Sequence, residues 1–154
     1  MPLYPDGKDR IRAQLERIDC GEKVWALDVG QLTDEQFTAL QKLKAGLGHP
    51  VPESPELVYL GRHHYNSRVT GDGYEIEDLV RQVEAAMAVD STIETERHMT
   101  ALVSAHQRED GFGFRVRDRV ILELQQRKPK GEIYSAVPKG DGGGPKKHKK
   151  QRSP

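Results

Sequence analysis

Residues 61–68, Gly-Arg-His-His-Tyr-Asn-Ser-Arg, hold most of the side chains in this chain that could perform chemistry together. Histidine gives or takes a proton near neutral pH, and arginine binds phosphate through a planar guanidinium group. These groups suit metal-independent RNA cleavage, in which one group removes a proton, another donates one, and a cation stabilises the charge on phosphorus. The predicted catalytic residues are Arg62, His63, His64, Tyr65, Ser67 and Arg68.

Within this set the residue types assign the roles. Either histidine supplies the acid–base chemistry, either arginine holds the phosphate, and Tyr65 or Ser67 orients it. In an extended segment adjacent side chains point to opposite sides, so only one of His63 and His64 is expected to face a cleft. The other histidine would be structural. A polar loop in which both histidines cap backbone groups or face solvent is the alternative interpretation.

A metal centre is another interpretation of the histidine pair, because histidine binds zinc well. The third ligand would be His98, His106 or a distant carboxylate, and no recognisable spacing points to one of them. The single cysteine, Cys20, excludes both an internal disulfide and a Cys-x-x-Cys zinc site. The glycines at 71–73 and 111–113 are turn signals without the residues of a nucleotide-binding loop. We therefore predict no metal and no cofactor.

Alternating arginines later in the chain predict a surface that binds nucleic acid. Arg115, Arg117 and Arg119 would share one face of a strand, and such a cationic row can follow a phosphate backbone. The alternative is a solvated sheet face on which neighbouring carboxylates neutralise the arginines. The aromatic residues that could offer stacking nearby are Phe112, Phe114 and Tyr134.

The charge of the chain is unevenly distributed, although 24 basic and 24 acidic side chains balance overall. Residues 139–154 carry six basic side chains against one acidic, a net charge of +5, and the other 138 residues carry −5. This tail has no apolar residue to offset the entropy of ordering, so we predict that it is disordered. It could attract phosphates by counterion release, or serve only for solubility or contact with the acidic body. The predicted nucleic-acid-binding lysines are Lys146, Lys147, Lys149 and Lys150.

Apolar spacing predicts three amphipathic helices that must position these groups. The first covers residues 7–19, and the second begins at the capping box formed by Thr33 and Gln36 and covers about 33–46. The third, from Glu75, has an apolar face and a charged face. Strands are expected at 57–60, 99–105, 114–124 and 132–138, and a short extended piece at 23–28 would use Trp25 as a core anchor.

This order of elements predicts an α+β fold. N-terminal helices would pack on a small, mainly antiparallel sheet, with one helix inserted after the first strand. The length predicts one domain over residues 1–138, followed by the disordered Lys-rich tail at 139–154. The chain has no apolar run near the roughly 20 residues that a transmembrane helix needs, and its start lacks a secretory signal. We expect no membrane partner and a cytoplasmic location.

N-terminal helices followed by a small antiparallel sheet that carries histidine and arginine resemble the compact nuclease domains of bacterial and phage toxins, the group of barnase, EndoU, colicin and RelE-like proteins. The resemblance rests on Gly-Arg-His-His-Tyr-Asn-Ser-Arg after a strand, on the helix from Glu75 and on the strands through Lys139. It is a likeness of element order and residue type over residues 55–139. It implies an RNA-cleaving activity and a protein partner such as a neutralising inhibitor.

Two function classes follow. The first is a small nucleic-acid-acting domain, a metal-independent ribonuclease of toxin type whose tail assists the capture of RNA. The second is a non-enzymatic adaptor or accessory protein that binds another protein through residues 61–68 and its acidic helices. A third interpretation, an ADP-ribosyl transferase that contacts NAD, rests on Leu60-Gly-Arg62 alone.

Overall fold

The structure is a computed structural model that describes residues 2–49, 52–96, 99–124 and 130–141. Its helices and strands follow one another along the chain in an order close to the predicted one. The elements are α1 (Gly7–Asp19), β1 (Leu27–Gln31), α2 (Asp34–Gly46), β2 (Glu56–Tyr59), α3 (Arg62–Tyr65), a π-type turn (Asn66–Thr70), α4 (Ile76–Ala86), β3 (Thr92–Glu96), β4 (Met99–Glu109), β5 (Arg115–Glu123), β6 (Gly131–Ala136) and β7 (Lys139–Gly140).

The seven strands form one mixed sheet. Its strand order is β1-β2-β6-β5-β4-β3, and β7 adds to β5. All pairs are antiparallel except β2 and β6, which run parallel. The fold is therefore α+β with a mainly antiparallel sheet, as the sequence predicts, although the sheet is larger than expected because β3 and β7 were not predicted.

The three predicted helices are present, and two of them begin at side-chain caps. Thr33 accepts a hydrogen bond from the backbone N–H of Gln36, whose side chain accepts one from the backbone of Thr33. Glu75 and Asp78 form the equivalent box at the start of α4. These side chains satisfy amides that have no partner inside the helix, which fixes where each helix starts. None of the helices in the described ranges is long and apolar enough to cross a bilayer.

The main core lies between the helices and one face of the sheet. Buried side chains of α1 and α4, such as Ile11 and Val83, meet Leu102 of β4 and Val120 of β5. The opposite face of the sheet, which we call the second face, carries a small cluster of buried apolar side chains from β4 and β5 that is separate from the main core. That cluster consists of Ala101, Val103 and Ile121.

Two predictions at the edges of the domain are corrected. Trp25 is not a core anchor, because its side chain is 72% exposed and the strand begins only at Leu27. Lys139 and Gly140 were assigned to the disordered tail, but they form β7, which pairs with Val116 and Arg117 of β5. The sheet thus extends into the predicted tail, whose residues 142–154 lie outside the described residues.

Candidate functional site

Residues 61–68 were expected to form an extended or loop segment, but residues 62–70 are helical. Gly61 has a backbone φ of +87° and lies at the point where the chain leaves β2 and turns into α3. A Cβ at this position would lie 2.8 Å from Cε2 of Tyr59, so the turn packs directly on that ring. No glycine or proline interrupts residues 62–70, and Gly71 then closes the π-type turn by bonding the carbonyl of Asn66 at 3.0 Å.

Helix α3 directs its two histidines to different surroundings. Successive side chains on a helix are about 100° apart, so His64 points into the core while His63 stays exposed. Nδ1 of His64 lies 2.9 Å from the hydroxyl of Tyr59, which is fully buried. Burial raises the pKa of Tyr59 above its usual range, so this hydroxyl keeps its proton and shares a hydrogen bond with His64.

The buried His64 is held in the neutral form. Burial is the main reason that its pKa is lowered to about 3, and the positive charges of Arg68 and His63 lower it further. The nearby Gln82 side chain opposes this fall in the pKa of His64. Among the described residues, neither Oε1 of Gln82 nor Nε2 of His64 has a hydrogen-bond partner. His64 therefore cannot serve as an acid–base group in a cleft, contrary to its predicted catalytic role.

His63 stands at the rim of a concave surface. Its imidazole stacks on the Tyr134 ring with a centroid separation of 4.1 Å and an interplanar angle of 16°. Its Nε2 lies 3.3 Å from the hydroxyl oxygen of Ser67, one turn further along the helix. The Tyr134 ring covers one face of the imidazole and Ser67 contacts its Nε2, so these two neighbours fix the orientation of the His63 ring.

Arg68 is fixed by two contacts from different parts of the fold. Its Nε donates to the carbonyl of Ala136 at 3.2 Å, and its Nη1 donates to the carboxylate of Asp72 at 2.6 Å. A guanidinium group carries five N–H donors, so among the described residues three remain for another ligand. Of the residues of β6, β2 pairs with Gly131 and Glu132, so the later part of this strand is open to contact from α3 and the π-type turn.

His63 and Arg68 meet across a hollow of about 340 Å³ between α3 and the second face of the sheet. Tyr134 projects into it because the register between β5 and β6 shifts there: Ile121 pairs with Ser135, whereas Leu122 pairs with Ile133. The extra residue is a bulge, which turns a side chain away from the regular alternation. The polar residues that line the hollow are His63, Arg68, Glu123, Tyr134 and Ser135.

The other predicted catalytic residues do not line the hollow. The Tyr65 hydroxyl donates to the carboxylate of Asp19 on α1, and this bond raises the pKa of Tyr65. Arg62 is exposed at the start of α3. Conversely, Glu123 lines the hollow with His63 and Arg68. From the sequence it is one of the carboxylates that could neutralise the arginine row, and no local sequence signal indicates that it lines this hollow.

The predicted arginine row lies on the second face. Arg115, Arg117 and Arg119 are at least partly exposed, while Val116 and Asp118 between them are buried. Arg117 forms an ion pair with Asp141 at 2.7 Å, and Nε of Arg119 donates to the carbonyl of Val137 at 3.0 Å. The predicted RNA-binding lysines Lys146, Lys147, Lys149 and Lys150 lie outside the described residues.

A metal centre has no counterpart in the described ranges. There, no three His, Cys, Asp or Glu side chains come together in a way that could hold an ion. His98 lies outside the described residues, and Nε2 of His106 contacts the carboxylate of Asp90 at 2.7 Å. The histidine pair of α3 is itself divided between core and surface.

No family model, no curated protein and no solved structure matches this chain. The functional assignment therefore depends on the chemistry of the hollow.

Proposed function

We propose that this protein is a small metal-independent ribonuclease of toxin type and that the hollow beside α3 is its active site. The observation that carries the proposal is the convergence of an imidazole, a guanidinium group and a carboxylate, from His63, Arg68 and Glu123, on one concave surface. These are the three kinds of group that phosphodiester cleavage without a metal needs.

In the proposed reaction Glu123 removes the proton from a ribose 2′-hydroxyl. The 2′-oxygen then forms a bond to phosphorus, and the bond from phosphorus to the 5′-oxygen of the next nucleotide breaks. His63, protonated, gives its proton to that leaving oxygen, and the products are a 2′,3′-cyclic phosphate and a free 5′-hydroxyl. Arg68 donates to the non-bridging oxygens, on which the negative charge gathers. Ser67 and Tyr134 orient His63.

The test is RNA cleavage by the purified protein in EDTA. We expect His63→Ala to lower kcat/KM by about 10² to 10⁴, the usual contribution of general acid–base catalysis, without lowering the melting temperature. His49→Ala is the matched control, because His49 is also an exposed histidine but lies after α2, away from the hollow. RNA that stays intact with the wild-type protein would refute the proposal and favour the adaptor function.

The pH dependence of cleavage separates the two proton-transfer groups. A pair of one acid and one base gives a bell-shaped profile of kcat/KM. Glu123→Gln should remove the acidic limb of that profile and leave the alkaline limb, because only the base is lost. An unchanged profile in this variant would exclude Glu123 as the base.

The proposal includes a cellular setting. Its substrate is cytoplasmic RNA, and a cell that makes such a toxin needs a protein inhibitor to neutralise it. Overexpression without an inhibitor should slow growth, and His63→Ala should relieve that effect.

A further inference from the structure

A carboxylate of this chain occupies a pair of donors on the second face. Asp141 Oδ2 accepts from Nε of Arg117 at 2.7 Å and from the side-chain amide of Gln107 at 3.1 Å. Gln107 and Arg117 are directly opposite each other on β4 and β5, so the sheet itself sets the spacing of the two donors. A carboxylate oxygen and a phosphate oxygen are similar hydrogen-bond acceptors, and arginine binds both.

The donor pair shares its sheet face with the proposed active site. The register of β4 with β5 shifts between Val103 and Gln107, so the extra residues lie on β4. Strand β5 itself keeps its alternation of buried and partly exposed side chains through Arg117 and Arg119, and side chains two residues apart lie on the same face. Ile121 forms part of the floor of the hollow. Arg117 lies four positions before Ile121 on β5, a distance of about 13 Å along the strand. An RNA strand that enters the hollow can therefore cross Arg119 and reach Arg117.

We propose that Arg117 and Gln107 form a phosphate-binding subsite for single-stranded RNA, and that Asp141 holds this subsite in the absence of RNA. The inference rests on the proposed function, since it assigns a flanking contact to the same substrate. RNA displaces the Asp141 carboxylate and places one of its phosphates between the two donors.

The position of Asp141 makes this exchange feasible. It follows β7, which has only two residues, and within the described part of the chain its backbone N–H donates to the carbonyl of Arg115 at 3.0 Å. Lys139 keeps a separate ion pair with Glu94 of β3 at 2.6 Å. Strand β7 therefore retains an anchor when the Asp141 side chain moves or is replaced.

The experiment measures the binding of a fluorescent 2′-O-methyl oligonucleotide, which cannot be cleaved, over a range of salt concentrations. We expect Asp141→Asn to bind about tenfold more tightly at low salt, because a charge-assisted contact becomes available. The plot of log Kobs against log salt should also become steeper by about 0.7, the value for one further phosphate on a single strand. Glu35→Gln on α2 is the control for the change in net charge.

Two further variants assign the effect to the subsite. Arg117→Gln in the Asp141→Asn background should remove the gain in affinity and in slope, because the donor that binds the phosphate is lost. Arg117→Gln alone should weaken binding, because RNA that displaces Asp141 no longer finds the guanidinium group; this variant also tests the proposal if Asp141→Asn folds poorly. Wild-type binding by Asp141→Asn, or wild-type binding by Arg117→Gln alone, would overturn the subsite.

Failure of the subsite and failure of the catalytic proposal give different results. Cleavage that depends on His63 together with unaltered binding by Asp141→Asn would overturn the subsite alone. A steeper salt dependence in Asp141→Asn together with no cleavage by the wild-type protein would support the subsite and overturn the catalytic proposal.

Discussion

Lowering the pH from 7 to 5 should destabilise this protein, because the unfolded chain takes up a proton at His64 that the folded chain excludes. In the folded state the imidazole is buried with Nδ1 against the Tyr59 hydroxyl, and burial is the main reason that a positive charge on this ring is disfavoured. The neighbouring charges of Arg68 and His63 act in the same direction, and only the Gln82 side chain opposes them.

The size of the effect follows from the difference in pKa between the two states. The pKa of His64 falls from the ordinary 6.5 to about 3 on folding. The stability that depends on neutral His64 is fully present above 6.5 and is lost as the pH falls through the window towards 3, because only the unfolded state binds the proton there. The loss is about 1.4 kcal/mol per pH unit, and thus about 2 kcal/mol between pH 7 and pH 5.

The assay is urea unfolding, followed by circular dichroism, of the wild-type protein and of His64→Leu at several pH values. Other titrating groups contribute equally to both proteins, so the informative quantity is the difference between their free energies of unfolding. This difference should shrink by about 2 kcal/mol from pH 7 to pH 5. His49→Leu, at an exposed histidine, should keep the pH dependence of the wild-type protein. A difference that stays constant for His64→Leu would refute the buried neutral histidine.

Two further substitutions test local structure by the same unfolding measurement. Thr33→Ala should cost about 1 kcal/mol through loss of the α2 cap, whereas Thr38→Ala, exposed on the same helix, should cost less than half of that; equal costs would contradict the capping role. Gly61→Ala should cost about 2 kcal/mol, because it strains a positive φ and presses a Cβ onto Tyr59. At Gly111, where a Cβ meets open space, the same change should be nearly neutral, and a similar loss there would remove the argument for Gly61.

The parts of the fold that the sequence predicts are those specified by neighbouring residues. The capping box of Thr33 and Gln36 acts within one helical turn, so the start of α2 follows from the sequence directly. The apolar face of α4 is likewise a local pattern. Strand β3 was missed because Thr-Ile-Glu-Thr-Glu has one strongly apolar residue and becomes a strand by pairing with β4.

The candidate site could be predicted only in its residue types. Residues 61–68 were selected for their histidines and arginines, and two of those four side chains do line the hollow. The burial of His64 depends on Tyr59 and on α4, and the position of Tyr134 depends on a register shift between two strands. Such relations between distant segments have no local signature, so the sequence could not distinguish the two histidines.

The two histidines of α3 need opposite protonation behaviour, and one short helix provides both because it exposes His63 and buries His64. In the proposed reaction His63 must be able to carry a proton to the leaving oxygen, whereas His64 is buried beside the Tyr59 hydroxyl and stays neutral. The same contact with Tyr59 anchors α3 against the core and so sets the distance of His63 from Arg68 and Glu123. Acidification should therefore weaken the proposed cleavage in two ways, by protonating the proposed base and by destabilising the helix that carries the proposed acid. The stability of His64→Leu at low pH separates these effects, because the second one is absent from that variant.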